Sequence, residues 1–372
     1  MSLPMQPGAR ESIQRIRPYQ QGKPIEEVQR ELGLAEVIKL ASNENPLGPS
    51  PRAIEAMTRT LAEVNLYPDG GNYRLKAGVA EVLEVSPDNI VFGAGSSTVL
   101  RLLADAFLGP GDEVVYAHPS FILYEFLTHL GGATPITVPL NAVHGHNLPA
   151  MAAAVTPHTK IVIICNPNNP TGTAVSRAEL DAFMAQVPDS VLVVLDEAYF
   201  EYATGGDYPD GIDYLRAGRN VLVLRTFSKA HGLAGLRVGY GVGRPDIIGA
   251  LRRVREPFNV NAVAQAAALA ALGDQEHLAR GRAVNDEGKA MLYAGMEALK
   301  LPYIPTAANF FMFKCPVDDA ALYQAILAQG VVVRPGRAFA MPGWLRVTIG
   351  TVEQNRRFLA ALTVALAELT NA

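Results

Sequence analysis

An α/β fold, with a mostly parallel sheet covered by helices and a smaller α+β unit after it, is what this 372-residue sequence predicts. Three observations carry that expectation. Seven short runs, apolar throughout and rich in β-branched residues, recur between Ile90 and Val242; helical stripes separate most of them; and the texture changes near Asn259. Strands that are apolar on both faces need cover on both sides, which a parallel sheet wound with crossover helices provides.

The predicted strands are 90–92, 113–116, 136–138, 160–165, 191–195, 221–224 and 238–242. Val99, Leu102, Leu103, Ala106 and Phe107 form a helical stripe after the first strand, and Leu180, Phe183, Met184 and Val187 form another before the fifth. Beyond Asn259, an Ala-rich helix at 262–272 and a long helical pattern at 275–299 lead into the apolar runs 310–313, 331–334 and 345–349. A helix at 320–328 and another from Glu353 complete the pattern. The expected division is an N-terminal segment, 1–45, lying across the groove between the domains with the small one. A large domain follows at 46–258, and a small α+β domain at 259–372. Internal repeats are not evident.

With 49% hydrophobic residues the chain can fill a substantial core, and 32 basic against 36 acidic residues leave no excess positive charge for nucleic acid or an anionic membrane. Cys165 and Cys315 are the only cysteines, both inside apolar runs, which fits reduced thiols and a cytoplasmic compartment. The N-terminus does not read as a signal peptide, and no run of about 18 apolar residues could span a bilayer.

In an open parallel sheet the chemistry lies beyond the carboxyl ends of the strands. Asn166-Pro-Asn-Asn-Pro-Thr-Gly172, Asp196-Glu-Ala-Tyr199 and Thr226-Phe-Ser-Lys229 each follow a predicted strand, so polar residues from successive strands reach one edge. Lys229 is an amine able to form an imine beside groups able to hold a phosphate, which is the equipment for pyridoxal phosphate. Asp196, ending an apolar strand, calls for a cationic partner and suits the protonated ring nitrogen of that cofactor. Its plain alternative is to cap the next helix.

Tyr199 and Asn169 can hydrogen-bond the phenolic oxygen of the cofactor, although Asn169 also fits a simple turn. Gly95, Ser96 and Ser97 lie between a strand and a helix start, where unpaired backbone amides receive phosphate. Thr226, Ser228 and Arg237 would complete the cradle. Phe121 suits either stacking on the pyridine face or the core. His144 and His146 lack a third metal ligand nearby, Gly239-Tyr-Gly-Val-Gly243 lacks the following helix of a dinucleotide loop, and His231 reads as a turn residue.

With Asn169, Asp196, Tyr199, Lys229 and Arg237 in this order, the chain resembles the fold-type I pyridoxal-phosphate aminotransferases. The closer resemblance is to the histidinol-phosphate aminotransferases, through Arg17-Pro-Tyr19, Leu40-Ala-Ser-Asn-Glu-Asn-Pro46, Asn65-Leu-Tyr-Pro-Asp69, Val333-Arg-Pro335 and Leu345-Arg-Val-Thr-Ile-Gly350. It implies a seven-stranded large domain and a homodimer in which Tyr67 reaches the cofactor phosphate of the neighbouring subunit. It further implies that Arg346 binds the anionic end of the substrate, with Arg334 and Tyr19 assisting, and that Lys229 shuttles the proton. The implied reaction is transamination of histidinol phosphate with 2-oxoglutarate. Ser97-Thr98, where many members carry an acidic pair, together with His118-Pro-Ser-Phe121 and Glu256-Pro-Phe258, leans toward the aromatic amino acid aminotransferases instead. A decarboxylase of a phosphorylated amino acid is a further alternative. A transcription regulator on this scaffold would need a DNA-binding extension, which the residues ahead of Pro46 do not provide.

Overall fold

The computed structural model describes residue 8 and residues 11–16 and 24–370. Each of the seven apolar runs is a strand, because β-branched and aliphatic residues fill a pleated surface buried on both sides. After a two-residue strand, β1 (Ile38–Lys39), come β2 (Ile90–Gly93), β3 (Glu113–His118), β4 (Thr134–Pro139), β5 (Thr159–Cys165), β6 (Leu192–Asp196), β7 (Val221–Thr226) and β8 (Gly239–Gly243). Among the described residues these last seven form one sheet in the order β2-β8-β7-β6-β5-β3-β4. Only β8 runs against its neighbours. The chain between β7 and β8 holds just a 3-10 turn and no crossover helix, so the strand returns antiparallel.

Side-chain alternation sorts the strands into two cores. Val162, Ile164, Val193, Leu195 and Val223 pack on one face of the sheet. Ile161, Ile163, Leu192, Val194 and Leu224 pack on the other.

The helix Ala262–Leu272, which the sequence reading assigns to the small domain, is in the first of these cores through Ala264, Ala267, Ala268, Ala271 and Leu272. Small side chains let it approach closely, and its composition gives no sign of which partner it chooses. We propose that the domain division lies within the next helix, Gln275–Ala298. Its start packs Leu278 against Tyr202 and Ala230, while Leu292 and Met296 belong to the small unit's core.

That unit contains β9 (Tyr303–Ile304), β10 (Phe310–Lys314), β11 (Val331–Val332), β12 (Arg334–Pro335) and β13 (Trp344–Thr348). Four of these strands form an antiparallel sheet in the order β12-β13-β10-β9. Phe311, Phe313, Leu345 and Val347 face its core with Leu322, Ile326, Phe358 and Leu362. The alternate positions Phe310, Arg346 and Thr348 therefore face the large domain. β1 pairs in parallel with β11, and Leu40 lies in the small unit's core, so residues 41–45 enter the groove directly from the small unit. Among the described residues no helix is long and apolar enough to cross a membrane.

Gly239 lets the turn before helix Ser96–Phe107 touch the sheet: a Cβ there would lie 2.4 Å from the Ser96 amide nitrogen. Gly239→Ala is expected to lower stability by about 1–3 kcal/mol, read as a lower urea midpoint at unchanged slope. An unchanged midpoint would show that the turn moves freely.

Candidate active site

The carboxyl ends of β5, β6 and β7 open on a single cavity. Asn169, Asp196, Tyr199, Thr226, Ser228, Lys229 and Arg237 line it from the large domain, and Ser42, Asn43, Arg334, Phe339 and Arg346 close it. Asp196 ends β6 inside the protein, where a charged group needs a partner. Its Oδ2 accepts a hydrogen bond of 2.7 Å from the Tyr124 hydroxyl, whereas its buried Oδ1 has no hydrogen-bond partner. Burial pushes the carboxyl up to about 6, against the opposing hydrogen bond from Tyr124. The site thus holds a carboxylate half satisfied and destabilised in its charged form, which a buried N–H⁺ would relieve.

Lys229 donates from Nζ to the Ser42 carbonyl at 3.1 Å and lies 5.7 Å from the centre of the Tyr199 ring. Burial, then the nearby positive charge of Arg346, brings its amine down to about 8. A larger share of neutral amine at neutral pH is what an imine former requires. The Tyr199 hydroxyl accepts from Asn43 Nδ2 at 3.0 Å, its ring meets Phe310 edge-on at 5.0 Å, and burial keeps the phenol protonated. Asn169 Oδ1 accepts from Arg346 Nη1 at 2.7 Å, so the group that Asn169 has left to offer is its amide donor. Arg346 Nη2 donates to the Ala41 carbonyl at 2.7 Å.

On the far side, Gly95 caps helix Ser96–Phe107 with φ 85°, and Ser96 and Ser97 present the helix start to the cavity. A Cβ on Gly95 would sit 2.5 Å from Arg237 Nη2, so only glycine leaves the guanidinium its place. Arg237 Nη1 donates to Ser228 Oγ at 3.3 Å, and the Ser228 amide donates to Thr226 Oγ1 at 3.1 Å. These donors and the positive helix end are suited to receive a phosphate. Pyridoxal phosphate fits the set: these donors would take its phosphate, Asp196 Oδ1 would face its ring nitrogen, and Lys229 would meet its carbonyl carbon. Phe121 lines the same cavity and stands edge-on to Tyr124, centres 5.7 Å apart.

Some expected residues lie elsewhere. Tyr19 falls outside the described residues. Tyr67 is absent from the lining of this cavity; it is 84% exposed and stacked on Phe258 at 4.8 Å. His146 Nε2 lies 2.7 Å from the Cys165 carbonyl, and burial lowers the ring to about 4, so it braces the end of β5 as a neutral group. Gly239–Gly243 is a strand and no dinucleotide loop. Sequence reasoning missed Tyr124, Asn43 and Phe339. A tyrosine on the apolar face of helix Leu123–Gly131, just past Phe121, was the available signal for the first.

Residues 35–362 match the family model described as aminotransferase class I and II, and the chain belongs to that family. More narrowly, it is 54% identical over 362 residues to the histidinol-phosphate aminotransferase of Moorella thermoacetica, covering 97% of this chain and 94% of that one. It is 49% identical to histidinol-phosphate aminotransferase 2 of Pseudomonas aeruginosa, covering 96% and 98%. The solved histidinol-phosphate aminotransferase of Sinorhizobium meliloti, in complex with pyridoxal-5'-phosphate, superposes with a TM-score of 0.88 at 28% identity, covering 96% and 97%.

Because the folded Asp196 carboxyl holds its proton more tightly than an unfolded one, empty protein loses stability as pH rises from the ordinary carboxylate range through about 6. A bound cationic ring nitrogen removes that loss. The thermal stabilisation given by pyridoxal phosphate is therefore expected to be larger at about pH 7.5 than at about pH 5, with the difference abolished in Asp196→Asn. Equal pH dependence in both proteins would contradict this.

Proposed function

We propose that the enzyme transfers the amino group of histidinol phosphate to 2-oxoglutarate, giving imidazole-acetol phosphate and glutamate. One observation carries the reading beyond the family: two buried arginines, Arg334 and Arg346, are direct cross-strand partners and line the cavity that holds Lys229. Guanidinium forks suit both anions the cycle must accept, a phosphate in one half and a carboxylate in the other.

Pyridoxal phosphate, when bound, supplies an electron-withdrawing ring that stabilises charge on the carbon losing its proton. Asp196 would keep the ring nitrogen protonated through Oδ1, and Tyr124 holds the carboxylate through Oδ2. Tyr199 and Asn169 would hold the phenolic oxygen; Gly95, Ser96, Ser97, Thr226, Ser228 and Arg237 would hold the phosphate; and Phe121 would pack against the ring. Lys229 Nζ, whose amine burial and Arg346 hold toward its neutral form, would take and move the proton of the substrate carbon. Arg346, with Arg334 and Tyr19, holds the anionic end of the substrate.

The working unit is a homodimer. Leu61, Val64, Leu66, Tyr67 and Tyr73 lie exposed in and around one short stretch, an apolar surface that a second copy would cover while Tyr67 reaches its phosphate. The compartment is the cytoplasm, where Cys165 and Cys315 stay free thiols.

With 2-oxoglutarate as acceptor, kcat/KM for histidinol phosphate is expected to exceed that for phenylalanine by more than about tenfold; the reverse order would establish the aromatic alternative. Carbon dioxide release without keto acid consumption would establish the decarboxylase. Lys229→Ala should lose both steady-state turnover and the visible band of the lysine-linked cofactor. Leu66→Glu should give monomers by ultracentrifugation with weakened cofactor binding, whereas monomers of undiminished affinity would remove Tyr67 from the neighbouring site.

A further inference from the structure

Arg334 and Arg346 sit directly opposite each other on β12 and β13, so two guanidinium groups leave one face of a sheet side by side. Like charges in that arrangement repel, more so where water is scarce. An aromatic ring lies beside both: the centre of Phe339 is 4.5 Å from Cζ of Arg346 and 5.9 Å from Cζ of Arg334. The negative face of an aromatic quadrupole attracts cations at such distances. Phe339 also lines the cavity, so its ring is part of the wall against which a bound anion would rest.

The turn that carries Phe339 is tied down independently of the site. In Gly336–Phe339, a Cβ on Gly336 would meet the Met341 carbonyl oxygen at 2.2 Å, and Ala340 closes the turn at φ 57°. Arg337 donates from Nε and Nη2 to Asp319 Oδ1 at 2.8 and 2.6 Å, and from Nη2 to Asp318 Oδ2 at 2.7 Å. Asp319 is buried, and the hydrogen bond from Arg337 holds its carboxyl below the usual range. Asp318 in turn caps helix Asp319–Ala328 through the Ala320 and Ala321 amides. A rigid helix end therefore fixes the backbone two residues before the ring.

We propose that Phe339 sets the affinity of the Arg334–Arg346 pair for the anionic end of the substrate, and that Arg337, through Asp319, is the residue that positions it. The inference rests on the reading of those arginines as the substrate-anion site. In the loaded holoenzyme, Phe339→Leu keeps the bulk and removes the π face. KM for histidinol phosphate is expected to rise about tenfold with kcat within about twofold, the visible absorbance of bound cofactor unchanged, and KM restored by Phe339→Tyr. Arg337→Gln, at an exposed position, should move KM the same way by a smaller factor, with Arg337→Lys recovering part of it. Unchanged KM in Phe339→Leu, or a rise matched by equal loss of cofactor absorbance, overturns the inference. Should the wild-type enzyme not turn over histidinol phosphate, the substrate reading fails by itself. Inorganic phosphate as inhibitor then decides this point: a weaker inhibition constant in Phe339→Leu supports the role of the ring, and an equal one refutes it.

Discussion

A buried carboxylate with one oxygen left over is the constraint on which the rest of the site depends. β6 delivers Asp196 to a buried position, Tyr124 satisfies only Oδ2, and the remaining Oδ1 stays unpaired. Such an arrangement penalises the empty protein, as the upward shift of the carboxyl to about 6 records. Lys229, Ser228, Arg237 and Phe121 line the same cavity, so a ring whose nitrogen met Oδ1 would have its other substituents among them.

The cavity is otherwise strongly cationic. Burial first, then Arg346 and Arg237, press the Lys229 amine toward its neutral form, while Glu44 opposes them. The acidic counterweight lies outside this cavity: Arg225 binds Glu197 at 2.8 Å and Asp210 at 2.6 Å, and Glu197 Oε1 accepts the Gly211 amide. This buried network fixes the residue next to Asp196 without lending its charge to the cavity, and breaking it by removing one partner would cost about 3–5 kcal/mol. Arg334 and Arg346 come from the small unit, whereas Asn169, Asp196, Lys229 and Arg237 come from the large one. The bond from Arg346 to Asn169 spans the two. Arg346 thus takes part in domain packing as well as lining the cavity, beside Phe339.

Much of this was legible in the sequence because parallel strands advertise themselves as apolar runs and deposit their polar successors at one edge. The motifs after β5, β6 and β7 were readable for that reason. Contacts made by tertiary folding alone were not. Asn43 reaches Tyr199 from a backbone with φ 56°, a left-handed conformation that its neighbours in sequence do not announce. Tyr124 is hidden as an aromatic in an apolar helix, and the alanines of Ala262–Leu272 carry no label of the core they join. The resemblance to histidinol-phosphate aminotransferases named Arg346, but its partner Asn169 lies 177 residues away, and only the fold brings the two together.

The most direct measurement is the ¹⁵N resonance of the pyridine nitrogen in enzyme loaded with labelled pyridoxal phosphate. A protonated nitrogen throughout the neutral range, becoming unprotonated in Asp196→Asn, is the predicted result. An unprotonated nitrogen in the wild-type protein would contradict the role assigned to Asp196, and with it the reason for the unsatisfied oxygen at the end of β6.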